Sequence, residues 1–259
     1  MNTMRQSVTA FAAALLLSLL RSGGLAHAEA TPVLLSEERH ASVSAIDSLR
    51  RAAETGDADA MNALGVLYCG ETEFGHDYTS ALYWYLKAAG HGSTRAMNNI
   101  ARMYLDGLRV SPDGTSALAW FKRSAAQGDV RGEYSLAVMA DNGIGAAPDS
   151  RLALAMYQRA AEAGFGPAML HLSEAYARGR GTRRDLVLAD AWLDVALQAG
   201  LPEELQAVAL SALESLDERL TPDRLDRARL IAAHLTAVLQ ARGVASDAIV
   251  ESAVLKRSP

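Results

Sequence analysis

Residues 93–128 read STRAMNNIARMYLDGLRVSPDGTSALAWFKRSAAQG, and this stretch decides the fold because its pattern recurs along the chain. Each copy of the pattern closes on a glycine, and successive closing glycines are 36 residues apart. These glycines are Gly56, Gly92, Gly128, Gly164 and Gly200. Self-similarity at a fixed period of about 20–50 residues is typical of repeat architectures. The sequence therefore predicts four repeats in phase, at 57–92, 93–128, 129–164 and 165–200.

Each repeat is predicted to form two helices, A and B, because small and apolar residues recur at spacings of three and four. In residues 93–128 the apolar face of helix A is Ala96, Ile100, Ala101, Met103 and Tyr104, and that of helix B is Ala117, Trp120, Phe121, Ser124 and Ala125. An aspartate stands 21 residues after each closing glycine, one turn before helix B, where it suits an N-cap. These aspartates are Asp77, Asp113, Asp149 and Asp185.

Large side chains fill one further column, 28 residues after each closing glycine. Its members are Trp84, Trp120, Met156 and Trp192. Neighbouring columns hold alanine, which lets helix backbones approach closely beside each large ring. A single helix pair cannot bury such a ring by itself, so adjacent repeats have to stack. We predict that the three tryptophans fill the space between helices and stabilise the stack.

The chain resembles the Sel1-like repeat family, relatives of the tetratricopeptide repeats. The first repeat carries the residues of that pattern at Ala60, Leu64-Gly65, Tyr68, Asp77, Ala81, Trp84-Tyr85, Ala88-Ala89 and Gly92. It departs from the pattern at 69–73, where Cys-Gly-Glu-Thr-Glu replaces a Gly-x-Gly loop. The resemblance implies an all-α fold, a right-handed α-solenoid of stacked helix-turn-helix repeats. It also implies an adaptor function, in exported bacterial members often in envelope signalling or assembly.

Both ends of the repeat array are predicted to be helical caps. Residues 42–56 match helix B alone and form an N-terminal capping helix. Residues 201–242 keep the phase weakly and form a degenerate C-terminal helix pair, whose second helix starts near Pro222. The tail, 243–259, is predicted to add a short helix around 248–255.

Residues 1–28 have the three parts of a secretory signal. Arg5 is followed by an apolar run from Val8 to Leu20, and Ala26-His27-Ala28 is a small-x-small cleavage site. We expect the mature chain to begin at Glu29 with a flexible leader over 29–41. The product would be secreted, or periplasmic if the source is a Gram-negative bacterium. The alternatives are an uncleaved anchor, a buried helix, or a cytosolic adaptor with a false signal.

Composition excludes several classes of protein. The chain has 259 residues, half of them apolar, which is typical of a globular protein. The net charge of −5 argues against a nucleic-acid partner. The one cysteine, Cys69, excludes a disulfide framework and the cysteine pairs of relatives linked to β-lactam chemistry. Because no nucleophile elbow, phosphate loop or His-Glu-x-x-His motif occurs, we predict a non-catalytic protein without cofactor or metal.

Three polar features have two interpretations each. The loop residues Glu71, Glu73, His76 and Asp77 could hold a divalent ion, but Asp77 is needed as a cap, so a solvated loop is expected. Cys69 is either a reactive thiol or a small buried apolar residue. A basic cluster is either a site for an acidic partner or phosphate, or a solvated loop. Its members are Arg178, Arg180, Arg183 and Arg184.

The predicted binding surface is the face of helix A that points away from the packing, which lines the concave side in related repeats. The residues expected to contact a partner are Asn62, Arg95, Asn98, Arg102, Arg131, Tyr134 and Glu174. Asn62 and Asn98 share a column, and an amide can clamp a peptide backbone because it donates and accepts together. Three arginines of this set would form a basic strip that suits an acidic segment or a C-terminal carboxylate. The leading hypothesis is an exported scaffold for a protein or peptide. The rivals are an ordinary solvated helix face and an envelope protein that binds or hydrolyses cell-wall fragments or β-lactams.

Overall fold

The computed structural model describes residues 45–70 and 76–243, which form eleven α-helices and no β-strand. The signal, the leader and the tail from residue 244 onwards lie outside the described residues. The helices are α1 (45–54), α2 (Ala58–Cys69), α3 (Tyr78–Gly90), α4 (Thr94–Asp106), α5 (Gly114–Ala125), α6 (Val130–Asn142), α7 (Ser150–Glu162), α8 (Gly166–Arg178), α9 (Leu186–Gln198), α10 (Glu203–Asp217) and α11 (Pro222–Ala241). Helices α2, α4, α6 and α8 are helix A of the four repeats, and α3, α5, α7 and α9 are helix B.

The chain divides into two compact units, residues 1–100 and 101–259, with the division inside α4. In the first unit α2 packs against α3. In the second unit each helix from α5 to α9 packs against the next, and both α10 and α11 pack on α9. In the second unit, consecutive helix pairs therefore bury their apolar faces against their neighbours, as a repeat architecture requires.

The aspartate column starts every helix B. Asp113 accepts hydrogen bonds at Oδ1 from the backbone N–H groups of Thr115 and Ser116, at 2.9 and 3.2 Å. The Ser116 side chain also donates to Asp113, and these bonds hold the pKa of Asp113 below its usual value. Asp77, Asp149 and Asp185 cap α3, α7 and α9 in the same way. A side-chain cap of this kind is worth about 1 kcal/mol.

Two glycines of the Gly-x-Gly loop have separate tasks. Gly179 ends α8 in the left-handed conformation, with φ at 73°. Gly181, with φ at 69°, lies against the first turn of α7, where a Cβ atom would meet the carbonyl oxygen of Ser150. The loop after one helix A therefore touches the start of the preceding helix B, and only glycine allows that approach.

The buried large side chain of helix B stands one residue later than the tryptophan column. Tyr85, Phe121, Tyr157 and Leu193 are each at most 3% exposed. Trp192 is also buried, but Trp84 and Trp120 are only half-buried, and the guanidinium of Arg123 lies 4.3 Å from the Trp120 ring centroid. The ring that fills the space beside helix A in the first two repeats is therefore Tyr85 or Phe121. In the first repeat the reason is visible at Gly65, where a Cβ atom would meet the Tyr85 ring.

The main core of the second unit lies between α6 and α11. Met169 and Leu172 of α8 are fully buried, and the alanines of the small columns, Ala153, Ala160 and Ala189, are at most 1% exposed. Within the described ranges, no helix is both long enough and apolar enough to cross a membrane.

Candidate functional site

In the first unit, a side-chain hydrogen bond joins two asparagines that lie on successive helices A. The Asn99 Nδ2 atom donates to Asn62 Oδ1 at 3.0 Å. Asn98, which the sequence pairs with Asn62, is instead 8% exposed, and neither of its amide atoms has a hydrogen-bond partner among the described residues. Arg95 is well exposed and lies 3.8 Å from Asp59, an ion pair that contributes little at such exposure. The structure therefore leaves Arg95 exposed and Asn62 half-buried, while Asn98 is buried.

In the second unit, Arg102 and Arg131 are exposed on helix A, as predicted for contact residues. Within the described part of the chain neither guanidinium has an ion-pair partner. Their charges are therefore available at the surface.

Four rings meet in the second unit, one each from α6, α7 and α8 and one from the residue that precedes α8. We call them the aromatic shelf: Tyr134, Tyr157, Phe165 and His171. Tyr157 and His171 stack with centroids 5.0 Å apart. The centroid of Tyr134 lies 5.1 Å from that of Phe165, 5.6 Å from that of His171 and 6.0 Å from that of Tyr157. Tyr134 and His171 belong to two successive helices A, and Tyr134 is one of the residues predicted to contact a partner. The side chain of His171 keeps 35% of its surface exposed.

Two carboxylates border the shelf, and each is held by an arginine. Glu174 lies 3.6 Å from His171 Nδ1 and 2.9 Å from Arg178. On the other side, Asp141 is largely buried, lies 2.9 Å from Arg180, and accepts a hydrogen bond from Ser150 Oγ at 3.1 Å. Both acids therefore have counter-ions within the described structure.

Burial keeps the titratable groups of the shelf uncharged near neutral pH. It lowers the pKa of His171, which outweighs the opposite effect of Glu174 and Asp141. It also raises the pKa of Tyr134, and that of Tyr157 still further. The Tyr157 hydroxyl is buried and finds no hydrogen-bond partner in the described ranges. Such a group costs about 1–3 kcal/mol when it is left unsatisfied.

Comparison with known families identifies the repeat. The Sel1 repeat profile matches four consecutive segments, residues 58–93, 94–129, 130–165 and 166–201. The chain belongs to the Sel1 repeat family. The matched segments begin one residue after the repeats that the closing glycines define, and the all-α array of 36-residue helix pairs predicted from the sequence is confirmed.

Two solved structures of Sel1-like proteins are similar to this chain. One is c5321, a protective antigen present in uropathogenic Escherichia coli strains with an SLR fold. It has 26% identity and a TM-score of 0.71, and the match covers 84% of this chain and 44% of that one. The other is a Sel1 repeat protein from Oxalobacter formigenes, with 26% identity, a TM-score of 0.62 and 75% of both chains covered. This chain therefore spans less than half the length of c5321. A search of curated proteins gives no match.

The basic cluster, the lone cysteine and the loop considered for a metal have different surroundings in this Sel1 protein. Arg178 and Arg180 of the basic cluster bind the shelf acids, while Arg183 and Arg184 are exposed. Cys69 is half-buried, and its carbonyl oxygen lies 3.3 Å from His76 Nδ1. In the loop considered for a metal, Glu71 and Glu73 lie outside the described residues. Across the parts of the Sel1 chain that are described, no group of three or more potential ligands is found.

The sequence of the Sel1 repeats did not indicate three residues of the shelf, Tyr157, Phe165 and His171, or the bordering Asp141. His171 lies seven residues after its closing glycine, one position beyond the expected contact column. Asn99 also stands seven residues after a closing glycine. The sequence therefore contained a polar column at this position that could have been included among the contact residues.

A buried carboxyl group also stands in helix B of the last Sel1 repeat. Asp190 of α9 is 4% exposed, and its Oδ2 atom lacks a hydrogen-bond partner among the residues described. Burial, and after it the hydrogen bond and negative charge of Asp217, raise the pKa of Asp190 to about 7. Asp194 adds to this effect and Arg229 opposes it.

Proposed function

We propose that this Sel1 repeat protein is an exported, non-catalytic adaptor that binds a protein or peptide segment on the helix A face of its repeats. The observation that carries the proposal is the aromatic shelf. His171 and the adjoining Glu174 keep 35% and 37% of their side-chain surface exposed, so part of the ring cluster is open to a partner. Partly exposed rings with polar groups beside them are characteristic of recognition surfaces.

Family membership supports binding in preference to catalysis, since Sel1 repeats are known chiefly as interaction modules. The sequence adds that no catalytic motif occurs in it. Fold alone does not establish function, so the proposal depends on the site.

Export is supported by the signal pattern of residues 1–28. N-terminal sequencing of the protein from its native cells should give Glu29 as the first residue. An intact Met1 would contradict export by cleavage after Ala28.

Crosslinked pull-down from the native cell envelope tests the adaptor function. Tagged mature protein is compared with Arg102→Glu/Arg131→Glu. This variant reverses two exposed charges without ion pairs in the described structure, one on α4 and one on α6. The matched control is Arg224→Glu/Arg227→Glu, which reverses two exposed charges on α11. We expect one partner to be enriched by the wild type and by the control, and lost with the helix A variant.

Three results would contradict the proposal. A partner that the helix A variant retains in full would contradict binding on the helix A face. The absence of any partner would contradict the adaptor function. Turnover of a cell-wall fragment or a β-lactam by the purified protein would favour the rival envelope-enzyme hypothesis.

A further inference from the structure

The accessible part of the aromatic shelf offers an apolar surface for one side chain. Tyr134 is half-buried and His171 is 35% exposed, and their centroids are 5.6 Å apart. Aromatic rings prefer offset or edge-on contacts with a further ring, and such contacts stabilise a complex beyond the effect of the area that they bury. A large apolar or aromatic side chain is therefore the chemistry that this surface fits.

Beside the shelf, the acidic side chains have counter-ions among the described residues, whereas the guanidinium of Arg131 has none. Glu174 is bound by Arg178, and Asp141 by Arg180 and Ser150. Glu133, on the same helix as Tyr134, is bound by Arg159. Arg131 stands one turn before Tyr134 on α6, is exposed, and has no ion pair within the residues described. A carboxylate is the group that complements this arrangement, since a guanidinium binds it through two parallel hydrogen bonds.

The Tyr157 hydroxyl provides an independent sign that the cluster is not merely structural. Tyr157 is 2% exposed, and its hydroxyl has no hydrogen-bond partner in the part of the chain that is described. A phenylalanine would fill the same space in the stack with His171 without leaving a polar atom unpaired. Unsatisfied buried polar atoms are uncommon in proteins, and each calls for an explanation, such as a functional role or a bound water.

Geometry sets the spacing between the two ligand groups. The Cβ atoms of residues three apart on a helix, such as Arg131 and Tyr134, are about 5–6 Å apart. In an extended peptide, residues two apart point to the same side and are separated by about 6.6 Å. These two distances match closely enough for one extended segment to reach both side chains.

We propose that the aromatic shelf and Arg131 together bind an extended peptide segment in which a large apolar or aromatic residue stands two positions from a carboxylate. The carboxylate belongs to Asp, Glu or the chain terminus and binds Arg131, and the apolar side chain rests on Tyr134 and His171. This inference rests on the proposed adaptor function and names the chemistry of its partner in the second unit.

Fluorescence polarisation with defined peptides tests the assignment. The probe is fluorescein-labelled Gly-Ser-Phe-Gly-Asp-Gly-Ser-amide, compared with peptides in which Ala replaces Phe or Lys replaces Asp. We expect the wild-type protein to bind each altered peptide at least tenfold more weakly than the probe. Arg131→Glu should remove the preference for Asp over Lys, and Tyr134→Leu should reduce the preference for Phe over Ala. Arg151→Glu, an exposed charge reversal at the start of α7, is the control and should change neither preference.

Circular dichroism confirms that each variant is folded, and Arg131→Glu alone keeps the test valid if Tyr134→Leu unfolds. Equal binding of the Asp and Lys peptides, preferences that survive in Arg131→Glu, or no binding of the probe below about 1 mM would overturn the assignment. If envelope partners still crosslink to the protein in that case, the shelf is not the peptide site and the adaptor function stands. If neither crosslinks nor peptide binding are found, both proposals fail.

Discussion

The imidazole ring of His171 lies almost parallel to the phenol ring of Tyr157, with 9° between their planes and 5.0 Å between their centroids. The stack joins α8 to α7, so it contributes to the packing of one repeat on the next. The Tyr157 hydroxyl takes no part in it and is buried without a partner in the described structure.

Tyr157→Phe should therefore stabilise the protein. The change keeps the ring and the stack while it removes an unsatisfied polar atom, so the free energy of unfolding should rise by about 1 kcal/mol. Urea titration of the variant measures this. Tyr83→Phe, at a ring that is 51% exposed, is the control and should have little effect. A clear loss of stability in Tyr157→Phe would show that the hydroxyl has a partner in the folded protein.

Asp190→Asn should stabilise the protein more at pH 8 than at pH 5. The pKa of Asp190 is raised in the folded state to about 7, so the unfolded chain releases the proton at lower pH than the folded one. Folding then becomes less favourable as pH rises from about 4 through 7. Asparagine stays neutral and avoids this cost, which is at least about 1.4 kcal/mol if one pKa unit of the shift is realised.

Urea titrations at pH 5 and pH 8 measure the difference between wild type and Asp190→Asn. The control is Glu214→Gln, which neutralises an exposed carboxylate on α10 and should give the same small change at both pH values. A difference between Asp190→Asn and wild type that does not grow with pH would contradict the raised pKa.

Phe121→Ala should cost more stability than Trp120→Ala, although tryptophan is the larger side chain. Phe121 is 2% exposed and Trp120 is only half-buried, so the cavity forms at Phe121. Truncation of a buried phenylalanine costs about 3–5 kcal/mol. Chemical denaturation of the two variants decides the order, and a larger loss for Trp120→Ala would restore the tryptophan column as the buried one.

Gly181→Ala should destabilise the second unit, since a Cβ atom at this left-handed residue would meet the Ser150 carbonyl oxygen. Gly90→Ala is the matched control. It lies in the last turn of α3 with no atom within 4 Å of its Cβ position, and alanine there should stabilise by about 0.5–1 kcal/mol. Thermal unfolding of both variants should therefore shift in opposite directions. Equal shifts would mean that the loop does not depend on its close contact with α7.

The helices of this fold could be predicted from the sequence because the signals for each helix recur in all four repeats. The closing glycines, the capping aspartates and the small columns identify helices, their starts and their order. The columns leave open which of two neighbouring helix residues is buried, because adjacent positions differ by about 100° around the axis. Trp120 against Phe121 and Asn98 against Asn99 are both such cases, and each is decided by what the neighbouring helix presents.

Only part of the candidate site could be predicted from the sequence, because the rest depends on contacts between repeats. Tyr134 and Glu174 could be placed on the helix A face by periodicity alone. The ion pair between Asp141 and Arg180 joins residues from successive repeats, and the stack of Tyr157 on His171 joins a helix B to the next helix A. Such contacts depend on how repeats pack, which a column of residue types does not contain.

A photocrosslinking scan in the native cells tests directly whether a partner binds on the helix A face. A photoreactive phenylalanine replaces, one at a time, the helix A residues Arg95, Arg102 and Arg131 and the helix B residues Arg123 and Arg151. The account predicts that a discrete partner protein crosslinks from helix A positions and not from the others. Crosslinks from the helix B set alone, or equally from both sets, would contradict binding on the helix A face.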